Sequence, residues 1–375
     1  MQKRKDINQE IYYICNWGND KRKAWSGTTF SLYTALSRIR EIHEYSITYN
    51  IFEKWIMKLA KICIDRSGIH KTNTFNSLTD RINQNKLKMI PGKPINLQIG
   101  CYGKFPNSYI YEDLSASALL YTLENNPKSF FASNFGTCSK KSLIKKALRQ
   151  NVVYENALGI LTMSHWVKEI LIQSLKTNKV YYVGAGINVD ISLISDNDRN
   201  CNRILFIGRD FKRKGGYLVL DAYKDLVKRR PSLELYIAGP KKLEDIQGVH
   251  WLGDVNSDDL PNYLNLCDVF CMPSEFEAYG LVYAEAMCFG LPCIGSDLCE
   301  GPYLINDGVN GYILKDRTPQ ALSILLERAL DNEQIKLHLR ECRQEYIDKY
   351  SWDTVAKRII TIINEDKLLS ETTIG

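Results

Sequence analysis

Nowhere in the 375 residues do about 18 apolar residues run together, the length a helix needs to cross a bilayer. The opening stretch MQKRKDINQE is charged and lacks the apolar centre of a secretion signal. The expectation is a chain that is neither exported nor membrane-spanning, and so cytoplasmic. Histidine is scarce: five in all, none at metal-ligand spacing, which argues against a protein metal site. The 11 cysteines include no Cys-x2-Cys pair, and several fall inside apolar patterns such as DVFCM and AEAMCFG. They read as buried free thiols in a reducing compartment, not as disulfides or zinc ligands. Acid is short in the first 150 residues, with 11 Asp and Glu against 24 Lys and Arg, whereas the remainder carries 32 against 25. The first half therefore suits an anionic partner or the inner face of an anionic membrane. No repeat of about 20–50 residues and no long low-complexity stretch occurs.

What is present is the composition of a soluble globular protein, 45% hydrophobic and 25% charged, at a length that suits two domains. In the second half strand and helix patterns alternate: a strand at Arg203–Ile207, a helix at Tyr217–Lys228, a strand at Leu233–Ala238, then HWLGDV and a helix near Asp258–Leu266. Such succession implies a parallel sheet with helices on both faces. The loop GRDFKRKGG places Arg209 and Lys214 at the carboxyl end of the first of these strands, where open parallel sheets bind ligands.

The most informative stretch is PSEFEAYGLVYAEAMCFGLP, Pro273–Pro292. A strand pattern at Asp268–Met272 leads into a loop, and Leu281, Ala284, Met287 and Cys288 then recur at helical spacing, with Gly290 and Pro292 as the stop. Gly280 has no Cβ, so the backbone amides of Tyr279, Gly280, Leu281 and Val282 can approach an anion at the helix start. Such a place suits a diphosphate. Glu277 precedes the helix and Glu285 stands about one turn inside it, so a ligand with hydroxyls at both ends can bridge them. A nucleotide-sugar has that shape.

This segment resembles the Glu-x7-Glu signature of the retaining glycosyltransferases of family 4, glycosyl transferases group 1 of the GT-B fold. The likeness extends over roughly Ala157–Asp353 and more faintly over the first half. It implies an α/β protein of two doubly wound, Rossmann-like parallel-sheet domains facing across a cleft. Residues 1–190 would be the acceptor-binding domain and 200–350 the nucleotide-sugar-binding domain, with a last helix, 351–366, packing back on the first. It further implies that Glu277 holds hydroxyls of the donor sugar and Glu285 the ribose. Arg209 and Lys214 would neutralise the departing diphosphate, Gly27 would bring an amide to it, and no metal would be needed. The implied donor is UDP- or GDP-linked and the acceptor a glycan or lipid-linked glycan, commonly of bacterial surface polysaccharide or lipopolysaccharide. Two other readings of the pattern are a catalytically silent GT-B partner protein and a nucleotide-sugar epimerase.

In the first half, EIYYICNWGN reads as a buried strand, followed by the basic loop DKRKAWSG and a helix at Thr28–Arg38 with Thr28 and Thr29 as candidate caps. Tyr45–Ile51 reads as a strand and Trp55–Cys63 as an amphipathic helix. Residues 67–93 are poor in pattern. Pro94–Tyr102 and Ser108–Tyr111 read as strands, the second running into EDLSAS and a helix near Ala116–Leu123. Where the resembled family often has a histidine, this chain has Glu112 and Asp113. Asp113 is placed to position or deprotonate an acceptor hydroxyl, or to cap the next helix. Ser139–Ala157 reads as a helix with Leu143, Ile144, Ala147 and Leu148 inward and a basic outer side of Lys140, Lys141, Lys145, Lys146 and Arg149, either solvated or touching anionic lipid. His165, at the start of the following helix, reads as a packing residue. Ser192–Asn202, polar and Asp-rich, reads as the interdomain linker.

Overall fold

A computed structural model of the chain describes residues 10–372, apart from 60–61, 66–67, 72–76, 93 and 196–201. The chain divides into two units. One comprises residues 1–127, 134–186 and 352–375, and the other residues 128–133 and 187–351. The expected linker Ser192–Asn202 falls largely outside the described residues.

The first unit is built on a six-stranded, all-parallel sheet. Its strands are β1 (Ile11–Cys15), β2 (Ile42–Ser46), β5 (Ile95–Ile99), β6 (Ser108–Glu112), β7 (Gly159–Thr162) and β8 (Val180–Tyr182), in the order β2-β1-β5-β6-β7-β8. β5, β6 and β7 are buried throughout, which is why they read as continuous apolar runs and not as alternating ones. A separate antiparallel hairpin joins β3 (Ile62–Asp65) to β4 (Gly68–Lys71). With the helix Ser77–Leu87 it gives structure to much of the stretch that was poor in pattern. The expected strand at Tyr45–Ile51 and helix at Trp55–Cys63 both lie further upstream, at Ile42–Ser46 and Ile51–Leu59. For the helix the cause is Asn50, which starts it early: Asn50 Oδ1 accepts from Glu53 N and Glu53 Oε2 accepts from Asn50 N, both at 2.8 Å. This reciprocal pair is a capping box.

The helix Trp352–Thr372 belongs to the first unit. Asp366 accepts from the Tyr109 hydroxyl at 2.9 Å, Arg358 Nη1 donates to Val183 O at 3.0 Å, and Arg38 Nε donates to Asp353 at 3.1 Å. Val355, Ala356, Ile359 and Ile363 are fully buried, so its apolar stripe faces the unit's core.

The second unit has its own parallel sheet. β9 (Arg203–Ile207), β10 (Glu234–Ala238), β11 (Val249–Gly253), β12 (Val269–Cys271), β13 (Cys293–Ser296) and β14 (Gly311–Leu314) run in the order β11-β10-β9-β12-β13-β14. The chain moves outward from β9 to β11, then returns to the other side of β9. Strand order thus reverses between β9 and β12, and the crevice at their carboxyl ends is where doubly wound sheets bind ligands. In the first unit the same reversal falls between β1 and β5.

Candidate active site

Two loops meet at the reversal point of the second unit: residues 208–215 after β9 and residues 272–280 after β12. Glycine lets them approach. A Cβ on Gly215, whose φ is +81°, would stand 2.3 Å from the carbonyl oxygen of Pro273, and one on Gly208 would stand 2.4 Å from Lys214 Cδ. Neither fits, so the glycines of GRDFKRKGG set where the basic side chains lie.

Lys214 Nζ lies 3.4 Å from Glu277 Oε2 and 3.4 Å from Met272 Sδ. Arg213 is the second cation. Its Nη1 donates to Phe276 O at 2.7 Å and lies 3.5 Å from Glu277 Oε2, while its Nε donates to Asp210 at 3.0 Å. Glu277 Oε2 is closed to solvent and accepts no hydrogen bond from the described residues, although two cations balance its charge. Arg317 reaches the same loop from the far side of the sequence. It donates to Pro273 O at 2.8 Å and Ser274 O at 3.3 Å and pairs with Glu275 at 3.1 Å. Sequence reading missed Arg213 and Arg317: the first lies within the basic loop already singled out, and the second carries no local signal.

The helix Leu281–Cys288 begins at Gly280, whose φ of +90° suits glycine. A Cβ there would come within 2.7 Å of the Tyr283 ring and 3.3 Å of Glu277 Cγ, so Gly280 and Glu277 are neighbours. Leu281 and Val282 are the first two helical residues, and Tyr279 is buried just before the turn. Glu285 is buried inside this helix, where its Oε1 accepts from the Asn188 amide at 3.0 Å. Burial raises its pKa; the Asn188 amide and the charge of Lys214 work against that rise. Lys214 therefore acts on both glutamates. Arg209 stands elsewhere: its guanidinium is exposed and pairs with Asp254 at 2.7 and 3.3 Å.

Gly27 and Asp113 belong to the first unit. Trp25, Ser26 and Gly27 have φ of 48°, 56° and 89°, three successive left-handed residues, two of which are not glycine. Gly27 itself is the N-cap of the helix Thr28–Ile39, so Thr28 and Thr29 are its first turn and not its caps. At this unit's reversal point a cavity of about 320 Å³ is lined by Asn16, Trp25, Thr29, Tyr102, Asp113 and Gln150, among others. Strain held in place beside a polar cavity is characteristic of ligand sites. Asp113 is not the cap of the next helix; Ser115 is, accepting from Ala118 N at 3.1 Å. Glu112 turns inward, buried, and accepts from the Tyr154 hydroxyl. His165 stacks on Tyr182 with ring centres 3.6 Å apart, a packing role.

Among the described residues no three His, Cys, Asp or Glu side chains gather as a metal site, and no helix is long and apolar enough to cross a membrane.

Residues 193–349 match the family model "Glycosyl transferases group 1". An uncharacterized glycosyltransferase of Methanocaldococcus jannaschii is 24% identical over 350 residues, 90% of this chain and 94% of that protein. The phosphatidyl-myo-inositol mannosyltransferase of Mycobacterium tuberculosis is 25% identical over 281 residues, 70% of this chain and 74% of its own. Among solved structures, WaaG, a glycosyltransferase involved in lipopolysaccharide biosynthesis, superposes with a TM-score of 0.62 at 15% identity, covering 94% of this chain and 99% of that one. The protein thus has the GT-B fold, and its residues 193–349 are similar to the glycosyl transferases group 1 family.

Proposed function

We propose that the protein is a retaining, metal-independent glycosyltransferase that moves a hexosyl group from a UDP- or GDP-linked donor to a glycan or lipid-linked acceptor. The observation that carries this reading is the arrangement around Glu277: a carboxylate oxygen shielded from water, balanced by Lys214 and Arg213, and adjoining the amides of the helix start at Gly280. The two cations hold Oε2, and the side chain as a whole keeps 21% of its surface exposed, so the rest of the carboxylate can accept from a sugar hydroxyl. The ammonium and the helix amides suit the diphosphate that leaves. Glu285, one turn further, takes the ribose.

In the reaction the bond from the anomeric carbon to the diphosphate oxygen breaks and a bond to the acceptor oxygen forms on the same face. The acceptor proton passes to the leaving phosphate. Lys214, Arg213 and the amides at Leu281 and Val282 stabilise charge that grows on the phosphate as the bond breaks, so they act more strongly on the transition state than on the bound donor. Arg209 joins them by leaving Asp254, an exposed pair that holds it only weakly. The polar cavity of the first unit, with the Trp25 ring and the Asp113 carboxylate, is the acceptor-binding element. Biosynthesis of a bacterial surface glycan such as lipopolysaccharide is the setting that the names of WaaG and the inositol-lipid mannosyltransferase support.

The test is a panel of UDP- and GDP-sugars incubated with purified protein. Slow release of free nucleoside diphosphate from one donor, absent in Lys214→Gln, is the expected result. A new sugar-nucleotide would instead identify an epimerase, and inertness toward every donor would leave a silent partner protein.

A further inference from the structure

We propose that the helix Ile51–Leu59 docks the first unit on an anionic lipid surface, its apolar side entering the interface and its lysines meeting the headgroups. Sequence reading gave any such contact to the basic helix at 139–157, and the structure moves the argument. In that helix Lys146 and Arg149 both bind Asp80, at 2.8 and 2.6 Å, and Lys140 binds Glu124 at 2.7 Å. Two of its five cations are thus held by a part-buried carboxylate, and a third shares an exposed one.

The helix Ile51–Leu59 is the reverse case. It has no buried residue. Ile51 is 86% exposed, Phe52 71%, Trp55 62% and Leu59 46%. Ile51, Trp55 and Leu59 form one row at a spacing of four, with Phe52 beside it, and exposed Lys54 and Lys58 form the adjoining row. Fraying does not explain this exposure, because the capping box of Asn50 and Glu53 fixes the first turn and Glu53 is also tied to Lys86 at 3.0 Å. Glu53 is the helix's one acidic residue, and it is engaged inward.

The helix Ser77–Leu87 supplies Lys86 to this helix and Asp80 to the helix Lys140–Glu155, which shows its own exposed row of Ile144, Leu148 and Val152 beside Lys141 and Lys145. Both rows pair large apolar side chains with lysine. That composition matches an anionic bilayer interface. It disfavours a second copy of the chain, since a twofold contact on this helix would bring lysine rows together.

Flotation of the full-length protein with phosphatidylcholine vesicles, with and without phosphatidylglycerol, tests the proposal and involves no sugar donor, so it stands apart from the glycosyltransferase reading. The wild type is expected to float only with anionic vesicles and to be released by salt. Joint Phe52→Ser and Trp55→Ser substitution, at exposed positions, should lower the bound fraction by about tenfold or more with the melting temperature retained. Lys54→Gln with Lys58→Gln should weaken binding and flatten its salt dependence. Leu337→Ser, an equally exposed site in the other unit, should change nothing. The proposal is overturned if the wild type does not float at low salt, if the Phe52/Trp55 variant floats like the wild type, or if that variant instead dissolves a dimer.

Discussion

Lys214 Nζ stands 3.4 Å from Glu277 Oε2, and the same ammonium counters the rise that burial imposes on Glu285. One side chain from the loop after β9 thereby governs both carboxylates of the segment after β12. The reversal of strand order between β9 and β12 brings the two loops together. Gly208 leaves room for the Lys214 side chain, and Gly215 for the carbonyl of Pro273.

Replacing Lys214 by Gln should lower turnover by about 10²–10³-fold, the usual cost of losing one charge-stabilising group. Single-turnover release of nucleoside diphosphate measures it. Glu277→Gln should cost a comparable factor with the far-UV circular dichroism unchanged, and full activity in both variants would contradict the assignment.

Arg213 holds Asp210 and Phe276 O at once, so it positions Glu277 without needing to touch the sugar. Arg213→Gln is expected to reduce kcat more than it raises KM and to cost about 1–3 kcal/mol of stability, the range for buried groups left unpaired. Arg213→Lys should rescue little, because an ammonium cannot make the forked contact. Steady-state kinetics beside urea unfolding separate the two effects.

Gly280→Ala meets both a left-handed φ and the Tyr283 ring at 2.7 Å, whereas Gly308, with φ +80°, has open space around it. The backbone penalty is shared, about 1–3 kcal/mol. Gly280→Ala should lose more stability than Gly308→Ala, and it alone should weaken nucleoside diphosphate binding. Denaturant unfolding and titration calorimetry on the two variants give the comparison.

Glu112 supplies a pH signature in the first unit. Burial pushes its carboxyl up from 4.5 to about 8, against a smaller opposing effect of the Tyr154 hydroxyl. The folded chain then binds this proton more tightly than the unfolded one. The associated stability is complete below pH 4.5 and fades as pH rises through about 8. Glu112→Gln, neutral throughout, should therefore lose less melting temperature across that interval than the wild type. Parallel slopes would show that the carboxyl does not titrate there.

Much of the fold was legible because both sheets are parallel with buried central strands, so these strands appear as apolar runs and helices as periodic stretches between them. The turn at Gly280 was legible because it combines a glycine, a helix start and two acids within a few residues. What could not be read was which cation of GRDFKRKGG turns inward. Arg213 reaches Phe276 O and Arg209 reaches Asp254, partners remote in sequence that the loop itself does not reveal. The reach of Arg317 into Pro273 O and of the Asn188 amide to Glu285 depends on contacts remote in sequence. Periodicity also identifies an apolar helix side without saying whether protein covers it. Ile144 and Leu148 were expected inward and are exposed; Gln150 and Tyr154 take the buried places instead.

Whether one diphosphate meets both loops is tested best by a crystal structure with a bound nucleoside diphosphate. Phosphate oxygens are expected within hydrogen-bond distance of Lys214 Nζ and of the amides at Leu281 and Val282, with the ribose on Glu285. A nucleotide bound away from Lys214, with Glu277 and Glu285 both untouched, would contradict it.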